Sequence, residues 1–203
     1  METQMYSDQI MPAPAAEFLN SFAPTPRELA AAMVTLEVMH YNFEGKIRIG
    51  HIIVHQLVLD DIRLFFKTAF ELRFPIHSVV PVHLYQWSDA ASCADNNSSG
   101  QNMRYLDDGR MSKHGIGCAF DINPIQNPCF ELDSKSPTLN LIRMIPENGV
   151  YRPGAPGTLS KGHPLVKLMK GLGWTWGGGW DFPEDYQHFQ IVPDELASYV
   201  TKA

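Results

Sequence analysis

Two polar clusters about seventy residues apart carry side chains that could hold one metal ion. The first is Ser112-Lys113-His114-Gly115-Ile116-Gly117-Cys118-Ala119-Phe120-Asp121. The second runs from Trp176-Gly177-Gly178-Gly179-Trp180 into Asp185-Tyr186-Gln187-His188-Phe189. His114, Asp121 and His188 supply two imidazoles and one carboxylate, the ligand count of a catalytic zinc site that keeps one position open. Such a site also needs a base beside the metal and not bonded to it. Asp185 stands three residues before His188 and Glu184 four, and spacing alone allows either. The set points to a metal-dependent hydrolase.

The elements around these residues must bring them together. A strand over 119–122 would send Phe120 and Ile122 to one face and Ala119 and Asp121 to the other, so the apolar pair packs while the carboxylate faces a cleft. His114 lies seven residues before Asp121, a spacing that strict alternation puts on the opposite face. Gly115 and Gly117 permit the bend that re-aims it. The three glycines 177–179 cost chain entropy, and close backbone approach to a ligand would explain them; a surface turn is the plain alternative. Trp174, Trp176 and Trp180 are individually more often core than cleft, but Trp176 and Trp180 are candidates to wall a substrate groove. The histidines at 40, 51, 55, 77, 83 and 163 have no partner at ligand spacing and read as structural or surface residues.

Along the rest of the chain, the prolines at 12, 14, 24 and 26 suggest an extended arm over 1–25. Thr25 suits a helix cap with Pro26 at the first helical position, opening a short helix to Ala32. Residues 34–41 and 46–55 read as a hairpin around the turn Asn42-Phe43-Glu44-Gly45. Ile62, Phe65, Phe66, Ala69 and Phe70 fall at helical spacing, and Pro75 ends that run. A strand is expected over 78–84, a long loop over 88–110, a proline- and glycine-punctuated connection over 131–162, a helix opened by His163-Pro164, and a strand over 187–192 before a C-terminal turn or helix. The class is α+β, a small antiparallel sheet flanked by helices.

The chain has 203 residues, 44% of them hydrophobic and 11% aromatic, enough for one cored domain over 26–203 behind the arm. A net charge of −6 with no basic run argues against nucleic acid as a partner. No apolar stretch approaches the length of a membrane span. The N-terminus lacks the basic start and apolar core of a secretory signal. The three cysteines, Cys93, Cys118 and Cys129, have no metal-binding spacing and read as buried free thiols, with one disulfide and one cysteine left over as the alternative. Cys118 alternates away from Asp121, which argues against it as a ligand.

The pattern Ser-x-His-x-x-Gly-x-Ala-x-Asp, followed by Trp-Gly-Gly-x-Trp and Asp-x-x-His-Phe, resembles the M15 zinc peptidases over roughly residues 36–192. That family includes D-Ala-D-Ala dipeptidases and carboxypeptidases and L-alanyl-D-glutamate endopeptidases. Asn96-Asn97-Ser98-Ser99 and Asn102-Met103-Arg104 resemble a loop of its VanY-like branch. The resemblance implies zinc held by His114, Asp121 and His188, with Asp185 selected over Glu184 as the base. It further implies Arg104 on the scissile carbonyl oxygen or a substrate carboxylate, and Ser112 binding substrate or supporting His114. The implied fold is shared with the Hedgehog signalling domain and the DD-peptidases. The implied substrate is a peptidoglycan stem peptide, met by a monomer at the cell envelope or periplasm. Two positions depart from the family: Gly179 stands where an acid is usual, with Asp181 nearby, and Cys118 replaces an aliphatic residue. Two other readings remain, a zinc-containing binding module without catalysis and a metallohydrolase of some other substrate.

Overall fold

The longest pairing among the described residues is a hairpin over 33–55. In a computed structural model describing residues 6–12, 26–106, 108–132 and 142–201, the elements begin with β1 (Asp8–Pro12), α1 (Arg27–Ala31), β2 (Met33–Tyr41) and β3 (Ile47–His55). β2 pairs antiparallel with β3 in unbroken register from Met33 opposite His55 to Tyr41 opposite Ile47, as the alternation predicts. β1 adds to the outer edge of β2, so this part of the expected arm is a strand. Residues 1–5 and 13–25, including the cap assigned to Thr25, lie outside the described residues. Pro26 is itself the residue preceding the helix, which begins one position later than expected.

Helix α2 (Leu59–Glu71) begins with Asp60 and Asp61, whose charges suit the positive end of the helix dipole. Its buried face is Ile62, Phe65, Phe66, Ala69 and Phe70, the set read from the spacing. The helix stops at Glu71, ahead of Pro75, through Arg73 in a left-handed conformation (φ 51°).

Two expectations fail in the next stretch. The strand predicted over 78–84 is only β4 (Ser78–Val79), because Pro81 cannot donate to a ladder and Val82–Tyr85 forms a single tight turn. The loop predicted over 88–110 holds α3 (Asp89–Ala94), capped by the Ser88 hydroxyl accepting from the Ala91 amide, and β5 (Asn97–Ser98), which pairs parallel with β4.

The C-terminal half contributes β6 (Ala119–Asp121), β7 (Cys129–Leu132), β8 (Ile142–Ile145), α4 (Pro164–Gly171), β9 (Thr175–Trp176), β10 (Glu184–Asp185), β11 (His188–Gln190) and α5 (Ala197–Val200). The β7–β8 pair replaces part of the connection expected over 131–162; residues 133–141 lie outside the described residues. His163 caps α4 by accepting from the Leu165 amide, with Pro164 at the first position as expected. The architecture is therefore mixed, with helices around three small antiparallel sheets (β1-β2-β3, β6-β11-β9 and β10-β7-β8) where one had been expected.

The core is aromatic where the two halves of the chain meet. The Phe120 and Phe189 rings stack at 5.0 Å and 12°, and Phe65 from α2 meets both edge-on at 5.0 and 5.8 Å. Trp174 closes the group at 5.3 Å from Phe120, and its indole N–H donates to Asp61 at 2.8 Å. Truncating the centre of this cluster, Phe120→Ala, is expected to cost about 3–5 kcal/mol of stability. Urea unfolding followed by tryptophan fluorescence measures it; a loss under 1 kcal/mol, no larger than that of the exposed control Leu64→Ala, would contradict the packing described.

Candidate metal centre

Strands β6 and β11 pair antiparallel with Asp121 directly opposite His188 and Phe120 opposite Phe189. Alternation then sends the phenylalanines into the core and the carboxylate and imidazole to the other face. Ser99 extends this pairing: its amide donates to the Asp121 carbonyl at 3.0 Å and its carbonyl accepts from the Asp121 amide at 2.8 Å. His114 arrives from an irregular turn. Gly117 makes that turn possible with φ +69°, and a Cβ there would meet the His55 amide at 2.7 Å. The sequence expectation that glycine re-aims His114 is met at this position.

The three side chains converge. His114 Nε2 lies 3.1 Å from His188 Nδ1 and 3.3 Å from Asp121 Oδ2, and His188 Nδ1 lies 3.0 Å from Asp121 Oδ1. All three residues are buried. His114 Nδ1 faces the Gly100 carbonyl at 2.7 Å, an acceptor only, so that nitrogen carries the proton and leaves Nε2 a lone pair. His188 Nε2 faces Gln190 Oε1 at 3.1 Å, so its proton also points outward and Nδ1 is left free. Two lone pairs and a carboxylate thus face one another with no proton between them, which is stable only with a cation or with added protons.

Zinc fits this donor set. Four ligands about 2.0–2.1 Å from a tetrahedral ion stand roughly 3.3–3.4 Å apart, close to the separations seen here. In the metal-free protein, protons serve instead. Burial disfavours charge on both groups, yet the two imidazoles hold the Asp121 carboxyl below its ordinary range, and Asp121 with Asp185 raises His188.

Asp185 comes from β10, paired with Cys129 of β7. Its Oδ1 is enclosed and has no hydrogen-bond partner. Burial first, and the Asp121 charge after it, outweigh the pull of the imidazoles and push its carboxyl up to about 6. Glu184, the other candidate base, instead accepts from the Tyr186 hydroxyl at 3.1 Å and does not line the cleft.

A cleft of about 560 Å³ opens over these groups. Arg104 and Trp180 line it, the Trp180 ring 5.7 Å from that of His188. Arg104 pairs with Asp89 at 3.2 Å, and the same Asp89 oxygen accepts from Asn102 at 2.9 Å. Ser112 also lines the cleft, and its hydroxyl accepts from the His114 amide at 3.2 Å, the supporting arrangement among the two expected.

Two expectations are corrected. Trp176 does not wall the cleft: it is 3% exposed, and its indole donates to the Tyr186 carbonyl at 2.9 Å within the core. The close approach that two of the three glycines permit is to the protein itself. A Cβ on Gly177 would meet the Asp185 carbonyl oxygen at 2.5 Å, and one on Gly178 the Trp176 ring at 2.3 Å, while Gly179 faces open space. The glycines let the chain fold against the element that carries Asp185. All three cysteines are free and buried; Cys118 packs in the core, while Cys93 and Cys129 line the cleft.

Residues missed from sequence are Gln190, Asp89 and the Gly100 carbonyl. Gln190 follows His188 by two on one strand face, so alternation was a usable signal. Asp89 stands fifteen residues before Arg104, and nothing in the spacing joins them.

Residues 107–191 match the family model described as D-alanyl-D-alanine carboxypeptidase, within the M15 peptidases. The matched segment contains His114, Asp121, Asp185 and His188, and it supports the family resemblance carried by the two motifs. No curated protein and no solved structure matches the chain.

The glycine geometry gives an internal contrast. Gly177→Ala is expected to lower stability by about 1–3 kcal/mol, because backbone must move to admit the methyl group. Gly179→Ala is expected to stay within about 0.5 kcal/mol of the parent. Thermal unfolding of the two variants checks this, and equal losses would remove the assigned role of Gly177.

Proposed function

We propose that the protein is a zinc-dependent peptidase that cuts amide bonds in peptidoglycan stem peptides, as a D-Ala-D-Ala carboxypeptidase or an L-Ala-D-Glu endopeptidase. The observation that carries this reading is the convergence of His114 Nε2, Asp121 and His188 Nδ1 at 3.0–3.3 Å with their outward nitrogens already committed. The position of this group inside the peptidase family match supports the reaction class. The β6–β11 pairing is consistent with the Hedgehog and DD-peptidase type of fold, which belongs to the same proposal.

When bound, a zinc ion at this donor set supplies Lewis acidity, bringing the pKa of a held water to about 7 and drawing charge from a carbonyl oxygen. Gly100 and Gln190 keep the two imidazoles oriented with their lone pairs inward. Asp185, with an enclosed and unpartnered Oδ1, is the base: it takes a proton from the attacking water and passes it to the leaving amine. Arg104, held at the cleft by Asp89, donates to the carbonyl oxygen as negative charge grows on it. Ser112 steadies His114 through the His114 amide. Trp180 offers an apolar wall to the substrate chain beside His188.

The test is mass spectrometry of purified muropeptides after incubation with the zinc-loaded protein. Loss of a terminal D-Ala identifies a carboxypeptidase and scission after L-Ala an endopeptidase. Asp185→Ala is expected to keep zinc and to lose turnover by about 10²–10⁴-fold, the usual contribution of a general base. His188→Ala is expected to lose metal and activity together. A fully active His188→Ala protein would overturn the ligand assignment, and intact substrate with a zinc-loaded parent would overturn the peptidase reading.

The pH profile gives a separate check. Asp185 works ionised, and its carboxyl stands at about 6 in the metal-free protein. A dication nearby favours the ionised form and lowers that value. The acidic limb of kcat/KM should therefore fall at or below about 6, with activity dropping as the pH descends through it. A limb well above 6 would report the zinc-held water and not Asp185, and a profile with no acidic limb would exclude Asp185 as the base.

A further inference from the structure

The charges lining the cleft do not cancel, and the surplus falls on one side chain. Three cations line it, Arg104, Arg110 and Lys113, with four carboxylates, Asp89, Asp121, Glu131 and Asp185. Arg104 is paired with Asp89 at 3.2 Å. Arg110 donates to Asp108 through Nε at 2.7 Å and pairs with it again through Nη2 at 2.6 Å. Glu131 accepts from Arg143 Nε at 2.7 Å. Asp121 and Asp185 together balance a bound dication. Lys113 is left: half-buried, next to His114 in the chain, and without a carboxylate partner among the described residues.

An ammonium with no counter-ion among the described residues, on the wall of a partly desolvated cleft, favours an anionic guest, and the charge-assisted hydrogen bond it would make is among the stronger polar contacts. Building on the peptidase reading above, we infer that Lys113 is the specificity-determining cation, selecting substrates with a free carboxylate beside the amide that is cut. Arg104 keeps a buried Nη1 without a hydrogen bond beside Asp89, but it is already assigned to the carbonyl oxygen, so a second negative group on the substrate calls for another cation. Arg110 is likewise occupied by Asp108. Stem peptides offer that carboxylate in two places. One is the chain terminus of D-Ala-D-Ala; the other is the α-carboxylate of a D-glutamate linked onward through its side chain.

Two matched substrate pairs separate these sources. The first is acetyl-D-alanyl-D-alanine with its C-terminal amide. The second is acetyl-L-alanyl-D-glutamate γ-amide with its α-carboxyl free or amidated. In the zinc-loaded parent the free acid of one pair is expected to have a kcat/KM about tenfold or more above its amide, the size of one charge-assisted bond. Lys113→Met should bring that ratio near one, mainly through KM, with zinc content unchanged, and Lys113→Arg should restore part of it. The discriminated pair names the source of the carboxylate. A parent that treats acid and amide alike in both pairs, or a preference that survives Lys113→Met, overturns the assignment.

A binding measurement keeps this distinct from the peptidase reading. NMR titration with the uncleavable leaving groups D-alanine, D-glutamine and their α-amides is expected to show the same preference for the acid and the same loss in Lys113→Met. If no peptide is cut but this preference is present, the reaction is wrong and the carboxylate subsite stands. If peptides are cut but neither readout depends on Lys113, the subsite is wrong and the reaction stands.

Discussion

The antiparallel pairing of Ala119–Asp121 with His188–Gln190 is the constraint on which the rest depends. Three residues from each strand set both the centre of the core and the floor of the cleft. On one face Phe120 stacks on Phe189 against Phe65 and Trp174; on the other, Asp121 meets His188. A slip of one residue in register would exchange the faces, burying the carboxylate among aromatic rings. The apolar packing therefore fixes the position of the polar group. The double hydrogen bond between Ser99 and Asp121 holds the same register from the other edge of β6.

That position is costly to occupy without a counter-charge. A carboxylate and two imidazole lone pairs in a buried pocket repel unless a proton or a cation sits among them. The protein removes the easiest relief by spending the outward ring nitrogens on Gly100 and Gln190, so that neither ring can turn its N–H inward without losing a partner. Asp185 adds a second carboxylate with an enclosed, unpartnered oxygen in the same cleft. The four side chains are preorganised for positive charge, and the folded state tolerates them because the surrounding strands leave no alternative placement.

How far this was legible in the sequence follows from period and length. The β2–β3 hairpin and α2 repeat their patterns over nine and thirteen residues; both elements were read from them, and for α2 the buried face as well. The alternation around Asp121 was also sufficient, because Phe120 and Ile122 are strongly apolar neighbours. Helix α3 has six residues and β7 and β8 four each, too short for any period to stand out from loop composition. The triglycine was read as a ligand contact because glycine marks close approach without saying what approaches; here it is the backbone of Asp185. Trp176 was placed in the groove for its motif, yet the strand β9 turns it into the core. Asp89 was invisible because its link to Arg104 exists only after α3 has folded.

Regular chain holds three of the side chains assigned to the chemistry, while His114 and Arg104 come from irregular chain. Asp121, Asp185 and His188 sit on paired strands, where a side chain cannot drift without breaking a ladder. Arg104, Lys113 and Trp180 lie outside strands and helices, where substitution costs little fold stability. Gly179, beside Trp180, has open space where a Cβ would point, so the acid that the family resemblance leads one to expect there is not kept out by crowding at that atom. Its absence is then a difference of charge and not of room. Among the described residues no carboxylate pairs with Lys113, so the proposed preference for an anionic substrate rests on that side chain and not on the rim at Gly179.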